Sequence, residues 1–438
     1  MISVKEKTVD FLKKYGMYAP DIDLEKNCLD FLEEMEKGLE GNESSLMMIP
    51  TYIGMGNELP LNKPVIAIDA GGTNLRVALI HFDQSKKLIV EDFKLYPMPG
   101  TKGEISKEEF FDTIAGYIEP LLSRSDKISF CFSYPADILP NKDGRVIRLC
   151  KEVTVRGIEG ELLGENLMAA LKKRGYTDDK SIIVLNDAVS TLLAGRAAYP
   201  ERVFDSYIGF ILGTGTNICY TEKLSEVKKI NSPCSPDELM IINTESGIYD
   251  KLQRSVIDLE LDSATVNPGD HVFEKTISGA YQGPMLLALI NKAADEGEFS
   301  KEAAVALKCI KDLESKEIDD FLYYPYGNNV LAECCSKSGD ESDRLALYYL
   351  IDAIFERIAR FVVFSLTATM QKTGKGTNPC SPICITADGS TFYKSKLFRA
   401  KLDYYIKSYT NDIKGIYCEF VKVDNGSLVG TAIAGLLN

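Results

Sequence analysis

The hydrophobic residues of the first sixty positions recur at the spacing of an amphipathic helix. Phe11, Leu12 and Tyr15 fall on one face of a helical wheel, and the same period continues through the thirties. Pro50 and Pro60 then interrupt the pattern, because proline lacks the amide hydrogen that a helix interior needs. We therefore predict a helical N-terminal segment that these two prolines close.

A different pattern begins at Val65, where short apolar runs alternate with longer amphipathic stretches. Alternation of this kind favours an α/β layer architecture with a mixed sheet. The stretch that starts at Ser106 carries a capping-box signature, Ser-x-x-Glu, which is typical of a helix start. The predicted elements are strands from Val65 to about Val90, at 127–134 and at 181–187, and helices at 106–122, 160–175, 273–296 and 341–371. A surface insertion is predicted at 225–237, which is rich in serine and proline.

Residues 207–222 repeat the order of a strand, a Gly/Thr turn and a second strand. Laying residues 215–217 on residues 72–74, both Gly-Thr-Asn, aligns the flanking strands without a gap. Favourable turn chemistry could explain either copy alone, but it does not explain the matched pair. We therefore predict two lobes that each begin with a hairpin, with both turns at a shared cleft.

Composition restricts the class of protein. The chain has 438 residues and a net charge of −14, which disfavours binding to nucleic acid or to an anionic membrane. Its 11 cysteines include no C-x-x-C pair and its first residues are charged, so we expect reduced thiols and a cytoplasmic location. The apolar run at 361–370 is about half as long as a bilayer span. Only 2 histidines occur, which leaves acid and base chemistry to carboxylates.

Four glycine-rich turns, each after a predicted strand, can present backbone N–H groups and hydroxyls to a polyphosphate. Such turns suit ATP held with Mg²⁺, and Asp69 could reach the metal through water as an oxygen ligand. Leu212 takes the place of Asp69 in the repeat, so only the first turn is expected to meet a cation. Arg76 is the nearest cation to that turn, and it is equally open to being a solvated strand residue. The predicted nucleotide contacts are Asp69, Gly71, Gly72, Thr73, Asn74, Arg76, Gly213, Thr214, Gly389, Ser390, Gly426 and Ser427.

Asp187 is the sharpest candidate for a catalytic residue. It ends a predicted strand of otherwise apolar residues, next to Asn186, at the junction of the two predicted halves. A carboxylate there could accept the proton of an attacking hydroxyl. It could equally cap the helix that the following residues predict, because aspartate is a favoured cap. From the residues alone, both roles stay open.

Nine stretches of the chain together resemble the hexokinase family, sugar kinases of the superfamily that also contains actin and the heat-shock ATPases. The resemblance implies a two-lobed, actin-like ATPase (ribonuclease H-like) fold of class α/β, with mixed sheets flanked by helices and the active site in the interlobe cleft. We place the small lobe at 65–188 plus 424–438 and the large lobe at 1–64 plus 189–423. The stretches are FLEEMEKGLEGNESSLMMIPTYI (31–53), IDAGGTNLRV (68–77), FSYP (132–135), LNDAVSTLLAG (185–195), GTGTNICY (213–220), INTESG (242–247), NPGDHVFEKTISGAYQG (267–283), ADGSTFYK (387–394) and NGSLVGTAIA (425–434).

The resemblance also assigns roles to single residues. Asn186 and Asp187 match the family's Asn-Asp pair, which holds the sugar and supplies the catalytic base. Arg156 stands where the family commonly has an electrophilic lysine, and it can still stabilise phosphoryl charge although its planar fork differs from an ammonium group. Together with Asn186 and Asp187, the expected sugar contacts are Ser133, Asn217, Glu245 and Glu274.

Three further departures from the family's pattern concern the sugar pocket. Val155 replaces a threonine that contacts sugar, Ser246 replaces a tryptophan, and His271 stands where a glutamine is common. Loss of the threonine hydroxyl removes a hydrogen bond, and serine in place of tryptophan would open space if it faces the cleft. The identity of the preferred sugar therefore stays open.

From the residues and the resemblance together, we predict an ATP-dependent hexokinase with Mg²⁺ that phosphorylates the 6-hydroxyl of a hexose, with glucose expected. The alternative is a sugar sensor of the same fold with weak chemistry. An actin-like or chaperone-like ATPase would not need the sugar contacts together. We expect a monomer or homodimer that binds a hexose substrate, and no nucleic acid or membrane.

Overall fold

The computed structural model describes residues 3–54, 59–149, 153–199, 201–230, 235 and 237–438. Most strands in this part of the chain belong to two large sheets. The strands are β1 (Ile49–Gly54), β2 (Val65–Ala70), β3 (Asn74–Phe82), β4 (Leu88–Pro97), β5 (Ile105–Ser106), β6 (Lys127–Phe132), β7 (Ala136–Ile138), β8 (Gly144–Val146), β9 (Val155–Arg156), β10 (Ser181–Leu185), β11 (Ser206–Leu212), β12 (Thr216–Lys223), β13 (Leu239–Asn243), β14 (Ile383–Asp388) and β15 (Cys418–Val421).

Helices flank both sheets. The helix predicted from the signature at Ser106 begins as expected, because the Glu109 amide donates to the Ser106 hydroxyl at 3.2 Å. The α-helices are α1 (Val4–Lys14), α2 (Leu24–Glu40), α3 (Lys107–Ile118), α4 (Leu163–Lys173), α5 (Asp187–Ala198), α6 (Val256–Ser263), α7 (Val272–Ile277), α8 (Gly279–Asp295), α9 (Lys301–Lys308), α10 (Ser315–Tyr323), α11 (Val330–Cys335), α12 (Glu341–Thr373), α13 (Ser390–Lys394), α14 (Phe398–Tyr405) and α15 (Gly426–Leu437).

The two large sheets share one strand order. The five-stranded sheet runs β4-β3-β2-β6-β10, and the six-stranded sheet runs β13-β12-β11-β14-β15 with β1 added beside β13. In both, the first three of these strands pair antiparallel and the last three pair parallel. The sequence repeat therefore corresponds to a repeated sheet topology, in which the hairpins β2–β3 and β11–β12 take equivalent places.

Helices α5 and α15 fill the space between the two sheets. Each follows the last parallel strand of its own sheet, β10 or β15. One buried cluster joins their apolar side chains to those of β2, β3 and β13. Separate cores lie on the outer faces, one with α3 and α4 and the other with α2 and α12. The strands of the five-stranded sheet fall within residues 65–185, and the lobe boundaries themselves stay a prediction.

Glycine is required where α5 passes closest to its neighbours. A Cβ at Gly430 on α15 would overlap the carbonyl oxygen of Ser190 on α5, and a Cβ at Gly209 on β11 would overlap that of Ala188. Beside the first contact, the hydroxyls of Ser190 and Thr431 lie 3.0 Å apart and hydrogen-bond. These contacts fix the height and direction of α5 between the sheets.

The prediction of a wholly helical N-terminal segment is wrong for residues 49–54, which form β1. This strand is the edge of the six-stranded sheet and pairs antiparallel with β13, Ile49 opposite Asn243. An edge strand tolerates Pro50, because one side of its backbone has no neighbour to bond. Tertiary pairing therefore decides this element. Of the insertion predicted at 225–237, residues 231–234 and 236 lie outside the described residues.

The close contact between α5 and α15 generates a stability prediction. Gly430→Ala should lower the free energy of unfolding by about 1–3 kcal/mol, because the added methyl group has no room against Ser190. Urea unfolding followed by circular dichroism measures this. Gly116→Ala on α3 is the matched control, since its Cβ would meet only the end of the Arg174 side chain, at 3.3 Å. That variant should be neutral or up to about 1 kcal/mol more stable, and an equal loss in both variants would contradict the packing argument.

Candidate active site

The Asn-Asp pair lies where β10 ends and α5 begins. Asn186 has an extended backbone (φ −82°, ψ 159°), and its Oδ1 accepts a hydrogen bond from the Ala188 amide at 2.8 Å. Asn186 is therefore the helix cap, and Asp187 is the first helical residue rather than the last residue of a strand. The Asp187 carboxylate accepts from the same amide at 2.8 Å and lies at the positive end of the helix dipole. Asp187 is partly exposed.

A chain of side-chain amides connects Asn186 to Glu245. Asn217 Nδ2 donates to Asn186 Oδ1 at 3.3 Å and to Asn243 Oδ1 at 2.8 Å. Asn243 Nδ2 then donates to Glu245 Oε1 at 2.7 Å. The chain joins the two sheets, because Asn186 follows β10 whereas Asn217 and Asn243 lie on the paired strands β12 and β13. Alternating donors and acceptors of this kind match the hydroxyls of a polyol.

Sequence reasoning missed Asn243, although it lies inside one of the family-like stretches. The β12–β13 register places Cys219 opposite Asn243, so Asn243 shares a sheet face with Asn217, two residues before Cys219. A polar residue at the end of an apolar strand was the available signal. The pairing of β12 with β13, which turns that signal into a contact, is a tertiary feature.

Three carboxylates form one electrostatic group around the amide chain. Burial raises the pKa of Glu245 to about 7, and the negative charges of Asp187 and Glu274 act in the same direction. The hydrogen bond from Asn243 and the positive charge of Arg148 oppose this shift. Glu245 also has a left-handed backbone (φ 53°, ψ 47°), which is uncommon for a residue with a Cβ. Glu245 is therefore partly ionised at neutral pH, close to Asp187.

Glu274 reaches the second glycine turn from α7. Its Oε2 accepts a hydrogen bond from the Thr216 amide at 3.0 Å. A Cβ at Gly215 would overlap this carboxylate oxygen, so a larger residue there would displace the Glu274 side chain from the turn. The Gly279 amide at the start of α8 donates to the Gly213 carbonyl at 2.8 Å. The start of α8 and the carboxylate from α7 are thus both attached to this turn.

The Ser-Tyr-Pro stretch supports the first glycine turn. The Ser133 amide donates to the Ala70 carbonyl at 3.2 Å, which extends the parallel pairing of β6 with β2. The buried Tyr134 hydroxyl lies 3.1 Å from the Gly71 carbonyl oxygen and 3.4 Å from that of Gly72, and donates to this pair. Sequence reasoning identified Ser133 but missed Tyr134 as the residue beneath the turn.

Asp69 lies on β2 directly opposite Arg76 on β3, and only 3% of it is exposed. Arg76 Nη1 donates to Asp69 Oδ2 at 2.8 Å, and the Ser427 hydroxyl donates to the same oxygen at 2.8 Å. The fourth turn therefore meets the first. Both of these hydrogen bonds use Oδ2. Arg76 lies on β3 with its side chain 42% exposed, and its charge is paired with Asp69. Its role as a nucleotide contact stays a prediction.

The second and third turns also contact one another. The cause is that β11 and β14 are parallel neighbours, with Ile211 beside Asp388. A Cβ on Gly213 would lie 3.4 Å from the Cα of Gly389, and a Cβ on Gly389 would overlap the Leu212 carbonyl. Gly389 has φ +117°, a conformation that glycine alone adopts readily. The four turns thus form two pairs, one at each sheet.

The backbone amides, hydroxyls and single carboxylate of these turns fit a nucleoside triphosphate with Mg²⁺. Asp69 is the acidic residue at the first pair of turns, and within the described residues no group of three or more His, Cys, Asp or Glu is arranged to hold a metal. One carboxylate with phosphate oxygens and water is the usual environment of Mg²⁺. Gly213 in the second turn and Gly426 at the start of α15 are buried, as is Asp69, whereas the other predicted contacts are at least partly solvent-accessible. The exposed ones are Thr73, Asn74, Thr214 and Ser390, and the partly exposed ones are Gly71, Gly72, Gly389 and Ser427.

The structure does not bring Arg156 to the amide chain. It lies on β9 with its side chain 74% exposed, and in the described part of the chain its charged partner is Glu104, 3.6 Å away. The neighbouring Val155 is buried in the core of the five-stranded sheet. Ser246 is fully buried as well, and its amide donates to Asn217 Oδ1 at 3.3 Å. The effect of both substitutions on the sugar pocket stays a prediction.

His271 belongs to a cluster at the rim of the site, with Arg148 and Asp270; we call these three residues the rim cluster. Arg148 Nη1 donates to Asp270 Oδ2 at 2.9 Å, and Arg148 Nη2 lies 3.0 Å from His271 Nδ1. His271 Nδ1 is 2.8 Å from Asp270 Oδ1. Burial raises the pKa of Asp270, but Arg148 and His271 outweigh it and bring that pKa to about 2. Sequence reasoning named His271 alone, since Arg148 lies more than a hundred residues away.

Comparisons with known proteins agree over the whole chain. Two family models described as hexokinase match residues 14–197 and 207–437. The chain is 29% identical to hexokinase-1 of Schizosaccharomyces pombe, over 93% of this chain and 86% of that protein. It is 28% identical to hexokinase-2 of Candida albicans, over 93% of this chain and 87% of that protein.

The fold agrees with these matches. The structure superposes on a hexokinase from Schistosoma mansoni, solved in complex with glucose, with a TM-score of 0.78 and 22% identity, and the match covers 99% of this chain and 98% of that one. This likeness confirms the two-lobed α/β fold predicted from the sequence. Taken with the two family models, which together span nearly all of the sequence, it shows that the chain belongs to the hexokinase family and is a hexose kinase.

Proposed function

We propose that this hexose kinase transfers the γ-phosphoryl group of ATP to the 6-hydroxyl of a hexose, with glucose as its principal acceptor. The observation that carries the proposal is the hydrogen-bonded chain Asn186–Asn217–Asn243–Glu245, which ends close to Asp187. A neutral ligand with several hydroxyls suits a site in which amides and carboxylates alternate. Ser133 and Glu274 would bind further hydroxyls.

Asp187 would act as the general base. As the 6-oxygen bonds to the γ-phosphorus and the bond to the departing ADP breaks, the hydroxyl proton passes to the Asp187 carboxylate. The adjacent Asn186 caps the same helix and binds in the amide chain, so sugar and base would be held by one rigid element. Asn186 already caps the helix, which supports a role for Asp187 in proton transfer.

The two pairs of turns would hold the nucleotide. Backbone amides and the hydroxyls of Thr73, Thr214 and Ser390 would donate to phosphate oxygens. Asp69 would hold Mg²⁺ through water, and the ion would supply charge neutralisation at the phosphates. The Asp69–Arg76 pair supports this assignment, because the 2.8 Å ion pair holds the carboxylate in a fixed position beside the first turn.

Arg156 would stabilise the transferring phosphoryl group only after the cleft closes, since its side chain points to solvent in this conformation. Closure on sugar binding would also exclude water, which could otherwise accept the phosphoryl group. Across the described residues, no helix combines the length and the apolar character that crossing a bilayer requires. We further propose a cytoplasmic location, which the reduced cysteines among the described residues support.

The function is tested by ATP consumption and sugar phosphate formation with glucose, mannose, fructose, glucosamine and N-acetylglucosamine. We expect stoichiometric glucose 6-phosphate from the wild-type protein. Asp187→Ala should lower kcat on the order of 10²-fold or more while glucose binding persists in calorimetry, because the base acts in the transition state. Asp179→Ala, an exposed aspartate before β10, is the control and should behave as wild type. An Asp187→Ala variant that retains more than about a tenth of the wild-type kcat excludes the base assignment, and glucose binding without any phosphorylation by the wild type would favour a sensor.

Asp69→Asn should raise the Mg²⁺ concentration needed for half-maximal rate, with little change in glucose affinity. The reason is that an amide is a weaker ligand for hard cations than a carboxylate. Titration of Mg²⁺ at fixed ATP measures this effect. Asp126→Asn is a suitable control, because that aspartate lies beside the same sheet with its side chain 89% exposed. An unchanged Mg²⁺ curve for Asp69→Asn would show that the residue only holds Arg76 and Ser427.

The pKa of Glu245, about 7, predicts a pH dependence of sugar binding. Below that pH the side chain takes up a proton and loses the charge that strengthens hydrogen bonds from sugar hydroxyls, so glucose affinity should fall by up to about tenfold per pH unit. The folding stability of the unliganded protein depends on pH in the opposite direction. The pKa of Glu245 is raised above its ordinary value of 4.5, so its contribution to the free energy of unfolding is present below about pH 4.5 and is lost as the pH rises through 7.

Calorimetry with glucose between about pH 5.5 and pH 8.5, a range centred on that pKa, checks this expectation. Glu245→Gln should bind glucose more weakly at high pH but show a nearly flat profile, because the amide does not titrate. If the variant kept the wild-type acid limb, the titrating group would have to be another residue of the site.

A further inference from the structure

The rim cluster joins the two halves of the molecule beside the sugar site. Arg148 follows β8, whereas Asp270 and His271 directly precede α7. Arg148 makes a 2.9 Å hydrogen bond to the Asp270 carboxylate and lies within 3.2 Å of both ring nitrogens of His271. A guanidinium that contacts both partners at once uses two arms of its planar fork, which gives the contact a defined geometry.

The Arg148 side of the cluster is fixed to the five-stranded sheet. The Ile147 amide donates to the Pro135 carbonyl at 3.0 Å, and Val146 is buried in the core of that sheet. A Cβ at Gly144 would lie 2.7 Å from the Val184 side chain on β10, so the β7–β8 hairpin lies directly against the sheet. Arg148 therefore moves with the half of the molecule that carries β10.

The other side of the cluster is fixed to the six-stranded sheet. His271 has a left-handed backbone (φ 51°, ψ 43°) and opens α7, where Val272 and Phe273 are buried in the large core. Asn267 Nδ2 lies 3.3 Å from Asp270 Oδ2 and donates to it. One turn into the same helix, Glu274 contacts the second glycine turn. The cluster thus holds the start of the helix that positions a proposed sugar ligand.

Charge connects the rim cluster to the amide chain. The groups that face Glu245 are Asp187 from α5, Glu274 from α7 and Arg148 from the opposite half, and only Arg148 among them is positive. Asp270 stays ionised at neutral pH, because Arg148 and His271 together outweigh the effect of its burial. The Asp270 carboxylate therefore holds Arg148 in place, while the positive charge of Arg148 also acts on the Glu245 carboxylate.

We propose that Arg148 is a positioning residue for the hexose: through Asp270 and His271 it connects the two walls of the sugar site and holds the Glu245 carboxylate ready to bind a sugar hydroxyl. This inference rests on the proposed function and adds a residue that the family-like motifs did not identify. Arg148 acts through Asp270, His271 and Glu245, so it governs sugar affinity rather than the transfer step.

The test compares Arg148→Gln with Arg148→Lys and with Arg145→Gln. Arg145 is an exposed arginine on the same hairpin, and its Nη1 donates to the Gly160 carbonyl at 3.3 Å. The Arg145→Gln variant therefore controls for loss of charge in this segment. Arg148→Gln should raise the glucose KM and the calorimetric Kd about tenfold or more, as expected for a lost charge-assisted hydrogen bond, with kcat within about threefold of wild type. Arg145→Gln should match the wild type in all three.

The pH profile separates positioning from a general structural effect. In Arg148→Gln, the pH below which glucose affinity falls should move to a higher value, because Glu245 loses its positive neighbour. Arg148→Lys keeps a positive charge and should return that pH most of the way to the wild-type value. Asp270→Asn should weaken glucose binding as well, and the double variant should be little worse than either single variant, since both remove one interaction. Unchanged glucose affinity in Arg148→Gln, an effect equal to that of Arg145→Gln, or an unmoved acid limb would each overturn the proposal.

Calorimetric binding keeps this proposal separate from the proposed function. If the wild-type protein binds glucose but phosphorylates no sugar, the proposed transfer fails while the role of Arg148 is still decided by the binding series. If the wild-type protein phosphorylates glucose and Arg148→Gln binds it normally, the transfer stands and the role of Arg148 is rejected. The chain contains 0 tryptophans, so calorimetry replaces indole fluorescence as the readout.

Discussion

The position of α5 between the two sheets is the constraint on which the rest of the site depends. Glycines at 209 and 430 let β11 and α15 approach this helix until backbone touches backbone. The helix cannot shift along its axis without a clash, so its first residues, Asn186 and Asp187, hold a fixed place at the cleft. From there Asn186 meets Asn217 of the other sheet. Close packing at glycine thus fixes the position of Asp187, as its proposed role as proton acceptor requires.

The same geometry brings three carboxylates close together where burial weakens the screening by water. Asp187, Glu245 and Glu274 approach one another from α5, β13 and α7, and the cost appears as the raised pKa of Glu245. Folding stabilises this arrangement with amide donors from Asn243 and with the Arg148 cation across the cleft. A ligand that supplies hydroxyl donors would hydrogen-bond to these carboxylates and so stabilise their negative charge.

The duplicated sheet explains why the four glycine-rich turns occur in pairs. The turns after β11 and β14 touch because those strands are parallel neighbours, and the turn before α15 reaches the first turn because Ser427 bonds Asp69. The hairpins β2–β3 and β11–β12 differ, however, in the charge of one equivalent residue. Asp69 in the first copy carries charge, and its counterpart Leu212 is buried and apolar.

The sequence by itself determined the fold class, the repeat, the helix starts and most polar residues of the site, because periodicity, capping and turn chemistry are local. It did not determine that 49–54 form an edge strand, since Pro50 reads locally as a break and only β13 supplies its partner. It also gave no sign that Asn243 completes the amide chain, that Arg76 pairs with Asp69, or that Arg148 meets Asp270 and His271. Asp69 and Arg76 face each other across one hairpin, so the register of that hairpin decides their contact. The other contacts join residues that are distant along the chain, and long-range pairing is decided by how whole sheets and helices pack rather than by local preference.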